Sequence, residues 1–478
     1  MRCMTTIIDE QTIAAAHAED WRARRDAPLR HIYLHIPFCH RRCAYCDFNT
    51  YANMDHRMAA YSAALVAEIA SLAPSHVLVA GRSRAAGRSR AAALGSGTSL
   101  SDLSVVSVDV RGAAPSADAR ALTRHSIRPT IFLGGGTPSM LPLDQMEAIL
   151  RAADAIVPLA GAEVSVECNP GTVLGKDYLR GLRSLGVNRI SMGVQTLHDP
   201  TLKILGRIHT AAEARASYDE AREVGFDSIN LDFIFGLPGQ TVVSWETALH
   251  QIVEWEVDHF SLYSLIVEET TPLFAQVQSG RITVPDDDAT GEMYERAIDI
   301  LGAAGYIQYE ISNWAKPGAR SQEPGARLSG IDSQSSIGNS QLSIPSHACH
   351  HNLAYWLNAD YLGCGAGAHG HLYPRRHANV LGIEDYIARV GRGSSPIEST
   401  VDLSVGDLAS ETMFMGLRLN AGVARAHFFE RTARNLDEVY GAQIGELVAR
   451  ELLISDASGV RLTDRGRMLG NQVFERFV

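Results

Sequence analysis

The sequence predicts an α/β fold: a partial (β/α)6 barrel of the TIM type, followed by a smaller C-terminal α+β domain of winged-helix type. Six short apolar runs rich in β-branched residues alternate with helical patterns, which is typical of βα units on a parallel sheet. Six such units fit an open barrel better than a closed eightfold one. After about residue 395 the alternation stops, and helices followed by one hairpin indicate a separate small domain.

The predicted strands are short, apolar and bounded by polar or glycine-rich loops. They are His31–Ile36, Thr130–Leu133, Glu163–Glu167, Asn188–Val194, Ser228–Ile234 and Phe260–Ile266. The helices predicted between them are Arg57–Leu72, Leu143–Ala155, Lys176–Leu185, Ala211–Val224 and Trp245–Trp255. In barrels of this kind the chemistry lies at the carboxyl ends of the strands, so functional residues are expected in the loops that follow them.

The C-terminal domain is predicted from three helices and a hairpin. The helices are Leu408–Leu417, Arg425–Thr432 and Ala442–Glu451. The hairpin covers Leu452–Asp464 and turns at Asp456–Gly459, and a last helix covers Arg465–Phe477. Segment Leu436–Glu451 offers Arg450 but no basic stripe, so a structural or docking role is expected rather than DNA binding.

Two low-complexity segments interrupt the pattern. Residues 75–128 are rich in Ala, Ser, Gly and Arg and repeat Gly-Arg-Ser-Arg-Ala-Ala at 81–86 and 87–92, and residues 317–346 are rich in Ser, Gly and Gln. Neither segment can bury enough apolar surface to offset its ordering entropy, so both are predicted to be disordered insertions. The predicted divisions are a tail (1–28), a barrel core (29–316), an insertion (317–346), a connecting segment (347–395) and a C-terminal domain (396–478).

Composition excludes several classes of protein. The 478 residues are 46% hydrophobic and 20% charged, as in an ordinary soluble protein, and the net charge of −11 argues against a broad nucleic-acid footprint. No apolar run reaches the roughly 20 residues of a membrane span, and the first residues lack the order of a secretion signal. Seven cysteines, three of them clustered, favour cluster binding in a reducing compartment, so the cytoplasm is expected.

The clustered cysteines are Cys39, Cys43 and Cys46, with the spacing Cys-x3-Cys-x2-Cys directly after the first predicted strand. Three thiolates on one loop can hold three irons of a [4Fe-4S] cube and leave the fourth iron open to a small ligand. The alternative is a zinc site, although such sites usually pair Cys-x2-Cys units. Its fourth ligand would be Cys168, Cys349, Cys364 or His40.

Polar and glycine residues follow the next predicted strands. Gly134-Gly135-Gly136-Thr137 comes after the second strand, and consecutive glycines let a ligand approach the backbone closely. Four polar residues end or follow later strands: Glu167, Gln195, Arg207 and Asp232. A carboxylate among apolar neighbours must be paired or ligand-bound, so these residues predict a polar ligand at this end of the barrel.

At these motifs the chain resembles the radical S-adenosylmethionine (SAM) superfamily, and within it the coproporphyrinogen-oxidase-like branch. The resemblance implies that the open iron binds the amino and carboxylate groups of SAM, and that an electron from the cluster cleaves SAM to a 5′-deoxyadenosyl radical. It also implies a C-terminal winged-helix-like cap. The SAM contacts that it implies are Tyr33, Tyr45, Gly135, Gly136, Thr137, Glu167, Gln195, Arg207 and Asp232.

A last motif is His351-Asn352-Leu353-Ala354-Tyr355-Trp356. A neutral imidazole is a common ligand of haem iron, and Tyr and Trp can flank a porphyrin. The alternative is that His351 and Asn352 bond locally while Tyr355 and Trp356 pack in the core. The motif resembles that of the HemW haem chaperones, in which it is associated with haem binding. Neighbours that could replace His351 as the axial ligand are His347, Cys349 and His350.

These resemblances lead to a hypothesis of a haem chaperone that binds haem, a [4Fe-4S] cluster and SAM, and passes haem to an acceptor protein. The main alternative is an oxygen-independent coproporphyrinogen III dehydrogenase; those enzymes carry a fourth cysteine where this chain has Phe48. A winged-helix regulator that senses redox state is a third reading, opposed by the low basicity. Expected partners are haem, its acceptor, an electron donor if SAM is cleaved, and a transient membrane or membrane-protein contact, but no nucleic acid.

Overall fold

The computed structural model describes residues 29–73, 122, 124–171, 175–318 and 344–478. The predicted tail, the repeat at 81–92 and most of the two predicted insertions lie outside these residues. The strands of the described chain are β1 (His31–Ile36), β2 (Phe38–Cys39), β3 (Tyr51–Ala52), β4 (Thr130–Gly135), β5 (Glu163–Cys168), β6 (Arg189–Gln195), β7 (Ser228–Phe235), β8 (His259–Ser264), β9 (Ile307–Glu310), β10 (Asn313–Ala315), β11 (Leu362–Cys364), β12 (His369–Leu372), β13 (Arg375–Asn379), β14 (Ile397–Asp402), β15 (Val423–Ala424), β16 (Leu453–Ser455) and β17 (Gly459–Leu462).

The helices follow the same order along the chain. They are α1 (Met58–Leu72), α2 (Leu143–Asp154), α3 (Gly175–Ser184), α4 (Asp199–Ile204), α5 (Ala211–Val224), α6 (Val242–Val253), α7 (Pro272–Gln278), α8 (Asp287–Ala303), α9 (His350–Trp356), α10 (Ile383–Gly391), α11 (Val405–Gly416), α12 (Arg425–Thr432), α13 (Leu436–Ala449), α14 (Asp464–Met468) and α15 (Gly470–Phe474). Local signals set several of their ends. For example, Thr210 and Glu213 form a capping box at the start of α5, and Gly225 ends it in the left-handed conformation.

The main sheet has nine strands in the order β11-β1-β4-β5-β6-β7-β8-β10-β9. The first seven are parallel, and the β9–β10 hairpin is added antiparallel at one edge. The six predicted strands are confirmed as β1 and β4 to β8, with ends that differ by at most two residues. Strands β9, β10 and β11 were not predicted because each has only three or four residues, too few for a periodic signal.

The principal hydrophobic core lies between this sheet and the helices of the βα units. A second core joins α11, α12 and α13 to the three-stranded sheet β15-β17-β16, which matches the predicted winged-helix-like arrangement. The predicted turn is closed by a hydrogen bond from Asp456 N to Gly459 O (3.0 Å). The last predicted helix is divided at Leu469 into α14 and α15. In the described ranges no helix is long and apolar enough to cross a membrane.

One buried carboxylate ties the unpredicted strand β11 to the rest of the barrel. Glu68, on α1, accepts hydrogen bonds from Gly365 N (2.8 Å), Asn379 Nδ2 (2.7 Å) and Tyr386 OH (2.5 Å). Burial raises the pKa of Glu68, and the three donors oppose that rise. Because each donor comes from a different segment after β11, Glu68 holds the edge of the sheet that pairs with β1.

We therefore expect Glu68→Ala to destabilise the barrel by about 3 kcal/mol, since it leaves three buried donors without an acceptor. Urea unfolding followed by tryptophan fluorescence measures this change. The matched control is Glu147→Ala on the surface of α2, where Glu147 only pairs with Arg151 one turn away. That variant should lose less than about 0.5 kcal/mol. Equal losses in the two variants would contradict the role given to Glu68.

Candidate functional site

A cavity of about 530 Å³ opens at the carboxyl ends of the parallel strands. The loop after β1 brings Cys39, Cys43 and Cys46 to its wall, and all three thiols are free. The loop is held from two sides, because Ala44 N donates to Leu205 O (2.8 Å) and Ala44 O accepts from Leu273 N (2.9 Å). The three cysteines therefore lie at the carboxyl end of the first strand, where the sequence places them.

A chain of hydrogen bonds along the cavity wall connects two of the thiols. Thr137 Oγ1 donates to Cys39 Sγ (3.7 Å) and accepts from Asn169 Nδ2 (2.8 Å). Arg207 Nη2 donates to Asn169 Oδ1 (2.6 Å), and its Nη1 donates to Cys43 Sγ (3.4 Å). Asn169 thus orients Thr137 and Arg207 together. The sequence analysis did not select Asn169, although it follows β5 two residues after Glu167.

The glycines after β4 are required by close packing. Gly136 N donates to Ile36 O (2.9 Å), and a Cβ at Gly136 would lie 2.6 Å from Phe38 O. Gly135 has φ +106°, and a Cβ there would lie 2.3 Å from the His35 ring. These glycines therefore fix the loop after β4 against the chain that leads to the cysteines, and both also line the cavity.

Two carboxylates line the cavity, one from β5 and one from β7. Glu167 accepts a hydrogen bond from Gly135 N (2.9 Å), and burial together with the charge of Asp232 raises the pKa of Glu167 to about 7. Asp232 accepts from Asn230 Nδ2 (2.7 Å) and Ser191 Oγ (3.3 Å), and burial raises its pKa despite these bonds. A ligand that brings hydroxyl or ammonium groups between them would favour both ionised forms.

Gln195 reaches the cavity because the end of β6 is irregular. The pairing of β6 with β7 shifts by one residue between Gly193 and Gln195, and Gln195 has φ +70°. A Cβ at Gly193 would lie 2.7 Å from Gln195 Nε2. A non-glycine residue held in this conformation at a strand end is a common feature of ligand sites.

The structure brings most of the predicted SAM residues to one cavity. Those on its wall are Tyr45, Gly135, Gly136, Glu167, Gln195, Arg207 and Asp232. Thr137 is buried behind the wall and contacts Cys39. Tyr33 is not a wall residue: its OH bonds to His35 Nδ1 (3.0 Å) and its ring stacks on Phe132. Wall residues that the sequence analysis missed include Arg189, Asn230, His259, Ser261 and Tyr263.

Helix α9 carries the predicted haem motif and packs at the opposite, amino-terminal end of the strands. Glu163, the first residue of β5, accepts from the N–H groups of His350 and His351 (both 3.1 Å). Arg189, the first residue of β6, donates to His347 O (3.0 Å). Cys349 and Asn352 line the same cavity as the cysteine loop, so the cavity runs through the barrel to this helix.

His351 itself points into packed structure. Its Nδ1 and Thr130 Oγ1 lie 2.7 Å apart, its Nε2 and Tyr355 OH 3.0 Å apart, and its ring stacks on Phe132 with the centroids 4.9 Å apart. Burial lowers the pKa of His351 well below its usual value, so the ring is neutral, and both nitrogens are used. Binding of iron by His351 therefore requires one of these two hydrogen bonds to break.

The alternative ligands have different surroundings. Cys349 is buried on the cavity wall, and burial raises the pKa of its thiol to about 12. His350 Nδ1 accepts from Arg128 N (3.1 Å), and burial lowers the pKa of His350. His347 is partly buried, and its pKa is also lowered by burial. Burial therefore favours the neutral form of all three imidazoles and opposes ionisation of the Cys349 thiol.

The residues on the cavity fit a cluster with an open iron and a SAM molecule. Three free thiols lie on one wall, and backbone groups, two carboxylates and a guanidinium lie on the others. In the described part of the chain, no three Cys, His, Asp or Glu side chains are arranged to hold a single metal ion. The thiols at one end of the cavity can bind the irons of a cluster, and the polar groups at the other end can bind a polar ligand.

Comparison with known proteins matches two family models, "Radical SAM superfamily" over residues 115–252 and "HemN C-terminal domain" over residues 403–469. The chain is 32% identical to "Heme chaperone HemW" of Bacillus subtilis over 452 residues, which is 94% of this chain and 99% of that protein. It is 31% identical to "Heme chaperone HemW" of Lactococcus lactis, over 93% of this chain and 96% of that protein. The chain belongs to the HemW family of radical SAM proteins. The family implies a [4Fe-4S] cluster and SAM.

A solved structure shares the fold of this HemW family member. It is coproporphyrinogen III oxidase (HemN) from Escherichia coli, with a TM-score of 0.67 and 21% identity over 98% of this chain and 93% of that one. At this identity the likeness concerns the fold alone. The recognition of the radical SAM superfamily, of its coproporphyrinogen-oxidase-like branch and of the HemW group within it is confirmed. Phe48 lies at the cavity mouth with 69% of its surface exposed.

We expect Asn169→Ala to weaken both cluster retention and SAM binding. The change removes two hydrogen bonds of about 1 kcal/mol each that orient Thr137 and Arg207, so the Kd for SAM should rise by about tenfold. Iron and sulfide analysis after anaerobic reconstitution, and equilibrium dialysis with SAM, measure the two effects. Asn471→Ala, an exposed change on α15, is the control and should match the wild type. Unchanged iron content and Kd would contradict this role of Asn169.

Proposed function

We propose that this protein is a haem chaperone, which binds haem and transfers it to an acceptor protein. The observation that supports it best is a sequence identity of 30–32% to curated haem chaperones over more than nine-tenths of the chain. Phe48 also supports the chaperone function, because coproporphyrinogen III dehydrogenases carry a fourth cysteine at this position. The presence of thiols and carboxylates in one cavity is compatible with either activity, so the choice rests on the two observations above.

Within this proposal the cluster is held by Cys39, Cys43 and Cys46. SAM is bound by Tyr45, Gly135, Gly136, Glu167, Gln195, Arg207 and Asp232, with Tyr33 and Thr137 acting from behind the wall. When bound, an open [4Fe-4S] cluster supplies an iron for the amino and carboxylate groups of SAM and a source of one electron. The chain's own contribution is to orient the thiols through Thr137 and Arg207, and to offer Glu167 and Asp232 to hydroxyl or ammonium groups.

Haem, in this proposal, is bound at α9 by His351, Asn352, Tyr355 and Trp356. Its acceptor is a haem-requiring protein, an electron donor is needed if SAM is cleaved, and delivery involves a transient contact with a membrane or a membrane protein. We also propose a cytoplasmic location, which the clustered free cysteines support because a reducing compartment preserves them. The division into tail, core, insertions, connecting segment and C-terminal domain remains part of this proposal.

The activity is tested with anaerobically reconstituted full-length protein. With SAM, a reductant and coproporphyrinogen III, we expect no protoporphyrinogen IX by liquid chromatography. Haemin should give a Soret band that saturates at one haem per chain, and the haem should pass to apomyoglobin on mixing. Clear turnover of coproporphyrinogen III in a protein that fails to bind haemin would instead support the dehydrogenase.

A pair of variants tests the axial ligand. If His351 binds iron through Nε2, Tyr355→Phe removes the hydroxyl that competes for this nitrogen, and haemin affinity should stay equal or rise a few-fold. His351→Ala should lower haemin affinity by about tenfold or more and shift the Soret maximum. His350→Ala is the matched control and should bind haemin as the wild type does. Full haem uptake by folded His351→Ala, measured by the same titration, would exclude His351.

A further inference from the structure

Helix α9 borders a second cavity at its C-terminal end. Cys349 and Asn352 face the barrel cavity, whereas Tyr355 and Trp356 line a separate cavity of about 190 Å³. Its lining also includes Tyr361, whose ring meets that of Tyr355 edge-on with the centroids 4.7 Å apart. This aromatic surface lies where the end of α9 approaches Met415 of α11.

Two unpaired donors lie beside this surface. The Arg418 guanidinium, just after α11, covers the Trp356 ring with its carbon 4.5 Å from the ring centroid. Trp356 Nε1 and Arg418 Nε are both buried, and neither has a hydrogen-bond partner among the residues that the structure describes. Buried donors are nearly always paired, because each unpaired one costs about 1–3 kcal/mol. The two donors therefore indicate an acceptor that is absent from the free chain.

The charges nearby favour an anionic acceptor. Arg418 makes no ion pair with any side chain in the described ranges, although its charge acts on the buried carboxyl of Glu310. Glu310 is buried, uses one oxygen for Ser312 N (3.1 Å) and Asn313 Nδ2, and leaves Oε2 without a partner. Burial raises the pKa of Glu310 to about 7, so this carboxyl compensates Arg418 only in part at neutral pH.

A second guanidinium near Trp356 offers a contrast. Arg376 lines the cavity, whereas Arg418 lies beside it over the Trp356 ring, and Arg376 Nε and Nη2 donate to the two oxygens of Glu411 at 2.7 and 2.8 Å. Its charge is thus already neutralised by a bidentate pair. Among these two arginines, Arg418 is the one with capacity to bind another carboxylate.

We propose that Arg418 and Trp356 Nε1 bind a propionate carboxylate of haem, while the porphyrin edge lies against Tyr355 and Tyr361. This inference rests on the proposed function, because it names the part of haem that the α9 site recognises. A carboxylate suits a guanidinium and an indole N–H held side by side, and a flat porphyrin suits the aromatic surface next to them. Arg418 is then a specificity residue for haem with free propionates.

The test compares haemin with haemin dimethyl ester, in which both propionates are neutral. Full-length wild type should bind haemin about tenfold more tightly than the ester by Soret titration, as one charge-assisted hydrogen bond predicts. Arg418→Gln should lose that preference while it binds the ester as the wild type does, and Arg418→Lys should restore part of the preference. The control is Arg375→Gln, an exposed arginine that pairs with Asp402.

The outcomes separate the two proposals. If the wild type binds neither porphyrin, the haem-chaperone function fails. If it binds both with equal affinity, or if Arg418→Gln keeps the wild-type preference, the propionate site is wrong and the function stands. Circular dichroism and the unchanged ester affinity show that Arg418→Gln is folded. Equal weakening towards both porphyrins, without rescue by Arg418→Lys, would make Arg418 a structural residue and overturn the proposal.

Discussion

The cluster end of the molecule depends on hydrogen bonds that continue the β1–β4 pairing beyond the two strands. Gly136 N and Thr137 N donate to Ile36 O and Phe38 O at 2.9 and 2.7 Å, so the loop after β4 lies directly against the chain that leads to Cys39. This contact is possible only where residue 136 has no Cβ. The orientation of Thr137, and through it the bonds of Cys39 and Asn169, follow from this attachment.

Much of this end was predictable because parallel strands bring their carboxyl ends to one edge. The sequence identified the six strands and the residues that follow them, so Glu167, Gln195 and Asp232 were expected to meet although they are far apart in the chain. Local signals did not predict β11, because its place depends on pairing with β1 about 330 residues earlier, as in Ile32 with Leu362. Asn169 was missed for a related reason: its partners Thr137 and Arg207 come from other βα units.

The motif on α9 shows where a sequence pattern supports two interpretations at once. His351 behaves as a local structural residue, since Thr130 and Tyr355 use both of its ring nitrogens. Trp356 does not, because its indole N–H is buried and unpaired beside a cavity. No single-sequence argument separates these roles, because the partners of both side chains come from β4 and from the segment after α11. In the free chain the motif therefore combines a hydrogen-bonded imidazole, His351, with an unpaired indole donor, Trp356.

The position of α9 bears on how the two cofactor sites relate. Its partners Thr130, Glu163 and Arg189 begin strands β4, β5 and β6, whereas the cysteine loop lies where the strands end. Strands of six or seven residues separate these ends by roughly 20 Å. A radical removes a hydrogen atom only from a group in van der Waals contact, so a porphyrin at the proposed site by the end of α9 is beyond the reach of chemistry at the cluster. The barrel cavity connects the cysteine loop to α9, whose Cys349 and Asn352 line that cavity. In the proposed arrangement, haem at this end of α9 is placed for storage and transfer rather than for decarboxylation.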